Sequence, residues 1–344
     1  MHPLDELLQT TRSKAEAERW TLIDRAVADT RNWLEDLLGQ GLGQLYTEHE
    51  TWIEARIKTL VDAKAPGLAK FLRPTLCGAS MEELPQIFME CVAPLWLAIR
   101  AIENRENLPP EAVFDLKQLI GFSVRKDAVR AAGITLTDRW CCLGTQHWRD
   151  DNLRVRATYF QGVTSGHTVR IIDYAGPGFD HPPQPYACGH VRHMAFAAYP
   201  GQLTDRVVPL IDEPLQNLIP ELEKQNRQDN IRTIFPDLEF YTFRTLRDRQ
   251  AEYLALNPWF DGLAGCVAGQ FAVSTDKNES HHILWQDPHL NTESICFNRE
   301  LGELEALVWL YFADIGMLPV SLLGNSISSL QLNPFDVQTL NSWQ

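Results

Sequence analysis

One change of hydrophobic period constrains this chain more than any other feature. Apolar residues recur every three or four positions up to about residue 136, and every second position after Trp140. Helical stripes followed by alternating strands specify an α+β chain: a helical N-terminal domain, then small antiparallel β-sheets with packed helices. In the first part, Ser13 and Glu16 have capping-box spacing, and Trp20, Ile23, Val27, Leu34 and Leu37 form the stripe that follows, before Gly39, Gly41 and Gly43. A second helix carries Ile53, Ile57, Leu60 and Val61, with Glu54 and Lys58 at ion-pair spacing, and stops near Ala65-Pro66-Gly67. Ser80 and Glu83 repeat the capping spacing ahead of Leu84, Phe88, Cys91, Leu95, Ala98, Ile99 and Ile102, a stripe that Pro94 should kink. Pro109-Pro110 opens a short helix through Val113, Leu116, Leu119 and Ile120.

After Trp140 the pattern alternates. Leu153, Val155, Ala157 and Tyr159 interleave with Arg154, Arg156 and Thr158, as in a strand with one buried face. Ser165-Gly166 marks a turn, residues 168 to 174 return, and His190 to Tyr199 supplies a third strand closed by Pro200-Gly201. Residues 211 to 257 turn polar and helical, ending at Asn257-Pro258. The last part reads as strands at Ile283 to Gln286 and Ser294 to Phe297, a helix through Leu304, Leu307, Val308, Tyr311 and Ile315 capped by Gly316, and a two-residue hairpin at Gly324-Asn325. The expected domains are a helical domain (1–136), an antiparallel β domain (137–210), a helical connector (211–262) and a C-terminal α/β subdomain (263–344).

Composition narrows the function. The 344 residues carry a net charge of −14, which repels phosphate polymers and anionic membranes, so nucleic-acid binding is not expected. The longest unbroken apolar run, Ala306 to Ala313, is too short to cross a bilayer. The first residues have neither a basic nor an apolar leader region, so the cytoplasm is the expected location. Seven cysteines without a CxxC spacing suit reduced, buried thiols.

Catalytic signatures are missing from the sequence. There is no phosphate loop, the G-x-G at Gly39 lacks its continuation, and Gly162 to Gly166 places its serine wrongly for a nucleophile elbow. Asp150-Asp151 reads as a solvated turn, and Arg244, Arg247 and Arg249, interleaved with Asp248 and Glu252, as a solvated helix face. His281 and His282 are adjacent in a strand and read as structural. His181, Cys188, His190 and His193 place four potential zinc ligands close together. In a strand, however, His190 and His193 face opposite ways, so no stoichiometric metal is expected. No cofactor and no catalytic residue is assigned.

An ordered series of segments resembles the region downstream of the finger in bacterial SWIM zinc finger family proteins. It comprises Trp52-Ile53-Glu54 with residues 61 to 69, then Gly121-Phe122, Asp138-Arg139-Trp140 with Leu143-Gly144, Ser165-Gly166, Ala198 to Gly201, and Asn257 to Asp261. The finger itself needs C-x-C followed by C-x-H, and this chain has no C-x-C. Neither the family's zinc ligands nor its finger contacts are therefore carried over. The resemblance implies a MoxR-type AAA+ ATPase and a von Willebrand factor A domain protein as partners, hence a non-enzymatic adaptor or scaffold. The alternatives are a metal-dependent hydrolase built on the 181–193 cluster and a nucleic-acid-binding remnant of the SWIM family. Trp20 and Trp33 lie thirteen positions apart, well off one another's helical face, so one of them is expected to anchor a partner.

Overall fold

Ser13 starts the longest helix as the sequence requires: its hydroxyl accepts from the Glu16 amide at 3.2 Å, and the helix runs to Gln40, where Gly41 takes a positive φ. A computed structural model describes residues 2–9, 13–41, 45–76, 83–150, 152–181, 186, 191–210, 240–241, 243–260, 262–268, 271–275, 281–285, 293–297, 304–312, 316–324, 330–331 and 337–339. The helices before residue 134 are α1 (Pro3–Leu8), α2 (Lys14–Gln40), α3 (Leu45–Asp62), α4 (Pro66–Lys70), α5 (Leu84–Glu103), α6 (Pro110–Ile120) and α7 (Lys126–Ala132). Glu83, not Ser80, is the N-cap of α5, with Pro85 in its first turn; Ser80 lies outside the described residues. By length and composition α5 could span a bilayer, yet Leu84, Phe88, Leu95, Ala98, Ile99 and Ile102 are buried in the core against Leu34, Ile53 and Leu116. Pro200–Leu203 and Leu256–Trp259 belong to this helical unit, and Trp259 packs on its core.

Among the described residues the other unit holds three sheets. The first has the order β3-β2-β1-β4-β5, from β1 (Thr135–Asp150), β2 (Leu153–Gly162), β3 (Thr168–Ala175), β4 (Val191–Ala198) and β5 (Val207–Pro209). β1 begins before Trp140 and changes partner along its length: residues 135–141 pair with β4, residues 140–150 with β2. From Val155 onward β2 is buried on both faces, not one, because Arg156 pairs with Asp173 and Thr158 faces Thr145 instead of water. A helix, α8 (Phe243–Leu256), follows the short strand β6 (Phe240–Tyr241).

The remaining described segments, from residue 263 on, are all strand. They are β7 (Leu263–Ala268), β8 (Phe271–Thr275), β9 (His281–Trp285), β10 (Glu293–Phe297), β11 (Leu304–Phe312), β12 (Gly316–Gly324), β13 (Leu330–Gln331) and β14 (Val337–Thr339), in sheets ordered β14-β10-β9-β8 and β13-β12-β11-β7-β6. The helix expected over Leu304 to Ile315 is therefore corrected to a strand. A run apolar at nearly every position satisfies a period of 3.6 and a period of 2 alike, and Val308, Trp309, Tyr311 and Phe312 favour the extended chain. The two-residue hairpin at Gly324-Asn325 is corrected as well: β12 and β13 are antiparallel, but Leu322 faces Leu330, whereas that turn would place it opposite Ile327.

Candidate functional site

The segments that carry the resemblance turn out to be joints. A Cβ on Gly67 would overlap the Leu119 carbonyl, so only glycine lets α4 approach the end of α6 this closely. Gly201 is crowded in the same way by the Asp115 carboxylate, which accepts from the Gln202 amide at 2.8 Å. Asp138 of β1 accepts from the amides of Arg139 (2.6 Å), Thr164 (3.2 Å) and Ser165 (2.9 Å), tying the β2–β3 turn to the first strand. Burial alone would raise its carboxyl, but the hydroxyl and amide of Ser165 and the amides of Thr164 and Arg139 outweigh it and hold the group below the usual carboxylate range. Trp140 donates from its indole nitrogen to the Met194 carbonyl at 3.1 Å, and the Asn257 side chain accepts from the Trp259 amide at 3.1 Å. These side chains hold backbone; none of these contacts presents a nucleophile.

Of the four metal candidates, His181 and His193 lie among the described residues. His181 is half-buried and its ring lies 5.8 Å from that of His147, a residue the sequence did not single out. His193 is exposed on β4 opposite Arg139, while Cys188 and His190 lie outside the described residues. Among the described residues no group of three or more His, Cys, Asp or Glu side chains could hold a metal. His147 faces Arg156 across the ladder, and Arg156 faces Asp173, to which it donates at 2.8 Å. Burial, then the neighbouring imidazole, then Arg156 lower the proton affinity of His147; burial followed by Arg156 and Arg154 does so for His181 against Asp173 and Asp180. Neutral imidazoles are the ligating form, but the positive charges of Arg154 and Arg156 beside them disfavour a divalent cation.

The arginine stretch on α8 divides too. Arg244 and Arg247 are exposed as expected, but Arg249 is half-buried, 5.9 Å from the Tyr241 ring, and hydrogen-bonds Tyr253. Tyr253 packs edge-on against Phe260 at 5.2 Å, and the Arg170 guanidinium lies 5.5 Å from the centre of the Phe260 ring while bonding Asp205 at 2.9 Å. His167 joins the cluster through Thr204; burial is the main cause of its lowered pKa. This is a polar clasp between strands and helix.

Trp20 and Trp33 are used by the helical unit itself. Trp20 is 3% exposed, 5.0 Å from Phe122 and beneath the Arg105 guanidinium at 4.7 Å. Trp33 is half-buried, edge-on to Phe88 at 6.3 Å, with Arg56 at 5.2 Å over its ring. As a partner anchor Trp20 is therefore corrected: the core fills all the space around its ring.

Among the described residues the exposed aromatics lie elsewhere, at the far end of the first sheet. Trp148 on β1, Val155 on β2 and Tyr174 on β3 stand in one cross-strand row, and Leu153 follows on the same face. Val155 is buried, but Trp148, Leu153 and Tyr174 are 37%, 39% and 48% exposed, and Phe179 in the next turn is 73% exposed. Arg154, on the opposite face, donates to the Phe179 carbonyl and to Asp180 and so fixes that turn. Trp148 had a sequence signal that went unread: it sits among Gln146, His147, Arg149 and Asp150, where a strand is leaving its core.

No curated protein and no solved structure matches this chain. Residues 18–120, which take in most of α2 and all of α3, α4, α5 and α6, match the SWIM-associated four-helix bundle domain, and the resemblance to the region downstream of the finger in SWIM zinc finger family proteins holds for the helical unit.

Proposed function

We propose that this chain is a non-enzymatic adaptor acting in the cytoplasm with a MoxR-type AAA+ ATPase and a von Willebrand factor A domain protein. The match of residues 18–120 to the SWIM-associated bundle carries the reading, since the resemblance implies those partners. The row of Trp148 and Tyr174 supports it: aromatic side chains held half-exposed on a rigid sheet are the usual anchors of protein interfaces. Such a component works by presenting surfaces while the ATPase supplies the energy.

The test is retention of both partners, from the same cell, on the immobilised full chain with ADP and with a non-hydrolysable ATP analogue. Retention of at least one is expected, weakened about tenfold by the Trp148→Ala, Tyr174→Ala double variant. Retention of neither, with or without nucleotide, overturns the proposal.

A further inference from the structure

Among the described residues, half of the outer edge of β3 has no strand beside it. The Gly162 amide donates to the His167 carbonyl at 2.9 Å, which makes 162 and 167 a hydrogen-bonded pair and sets the parity of the β2–β3 ladder. Arg170, Ile172 and Tyr174 therefore point their backbone groups away from β2. Arg170 demonstrates this, since its amide donates outward to the Asp205 carbonyl at 2.7 Å, beside its bridge to Arg206. Among the described residues no hydrogen bond reaches the outward groups of Ile172 or Tyr174.

Proteins usually blunt such an edge with a charge, a proline or a bulge. This stretch has no proline and an unbroken register, and its one charge, Asp173, is held by Arg156. We infer that the Ile172–Tyr174 edge is a docking site for an extended segment of a partner protein, which adds beside β3 as a strand and lays an apolar side chain on Tyr174. The groups that no described residue meets are backbone donors and acceptors at strand spacing, and another extended backbone meets them in register. A net charge of −14 opposes edge-to-edge pairing of two copies and favours a segment bearing basic residues. The site follows from the strand edge alone and does not rest on the ATPase assembly.

Amide hydrogen exchange on the full chain tests it, with a synthetic octapeptide of alternating valine and lysine as the probe. The Ile172 and Tyr174 amides should exchange freely in the chain alone and slow at least about tenfold with saturating peptide. The same peptide N-methylated at its valines keeps its charge but loses donors, and should give no protection. Ile172→Pro should abolish the effect while leaving the fold intact, because the lost N–H faces outward; if that variant does not fold, the N-methylated peptide still decides. Three results overturn the site: both amides protected without peptide, equal protection by the N-methylated peptide, or protection that rises with protein concentration alongside a dimer in sedimentation.

Discussion

The helical unit turns its aromatic side chains inward and the far end of the first sheet turns them outward. Trp20 is enclosed by Phe122 and the Arg105 guanidinium, which Asp24 holds with two bonds of 2.7 and 2.9 Å. Beside it Lys117, 3% exposed, meets Glu16 and the Gln9 carbonyl, so this cation next to the core is anchored as well. Trp148 and Tyr174 border Val155 alone among buried neighbours in their row, and water reaches both rings. The same residue type is enclosed in one region and open to water in the other, and the difference lies in how many layers cover it.

The largest expected effect breaks the inward half of that contrast. Trp20→Ala should destabilise the helical unit by about 4 kcal/mol in denaturant unfolding, since it removes a large buried side chain and leaves a cavity. A loss below about 1 kcal/mol would show that Trp20 is not a core residue. Next, Arg156→Ala should cost about 3 kcal/mol by removing the guanidinium that pairs with the largely covered Asp173 carboxylate, and the sheet end would lose its order while the helical unit keeps its own.

Acid should separate the regions further. His147, His167 and His181 all have lowered pKa values in the folded chain, so the unfolded chain takes up protons first and stability falls as pH drops below about 6.5. All three lie in the sheet unit, so its melting temperature should fall on acidification while the helical unit holds, and His167→Gln should flatten part of that slope. The smallest effect concerns the outward side chains. Trp148→Ala and Tyr174→Ala should each shift stability by no more than about 0.5 kcal/mol; a larger loss in unfolding experiments would make the patch a core and not a surface.

How much of this was legible depended on the range of the forces involved. Local chemistry was readable: the Ser13 cap, Pro110 at the start of α6 and the hairpin of β2 and β3 are set by neighbouring residues. The strand at 304–312 was not, because its apolar run lacks the polar face that would have fixed its period. Nor was the fate of Trp20 and Trp33, since rotation along one helix shows that they diverge without showing that α3 and α5 cover both sides of α2. Arg249 was misread for a related reason, as its ring partners come from β6 and from its own helix. The candidate site at Trp148 and Tyr174 depends on a cross-strand register that no sequence period encodes.

β1 has a kinetic consequence that follows from its change of partner. Its second half meets β2 through a local hairpin, with Gln146 and Tyr159 only 13 residues apart, whereas its first half waits for β4, with Trp140 and Met194 separated by 54. Closing the longer loop costs more chain entropy, so the hairpin should acquire protection first in pulse-labelled refolding and β4 should dock later. Simultaneous protection of Val155 and Phe196 would contradict that order. On a growing chain the aromatic end of the sheet would then be assembled while its core half is still waiting for residues not yet synthesised.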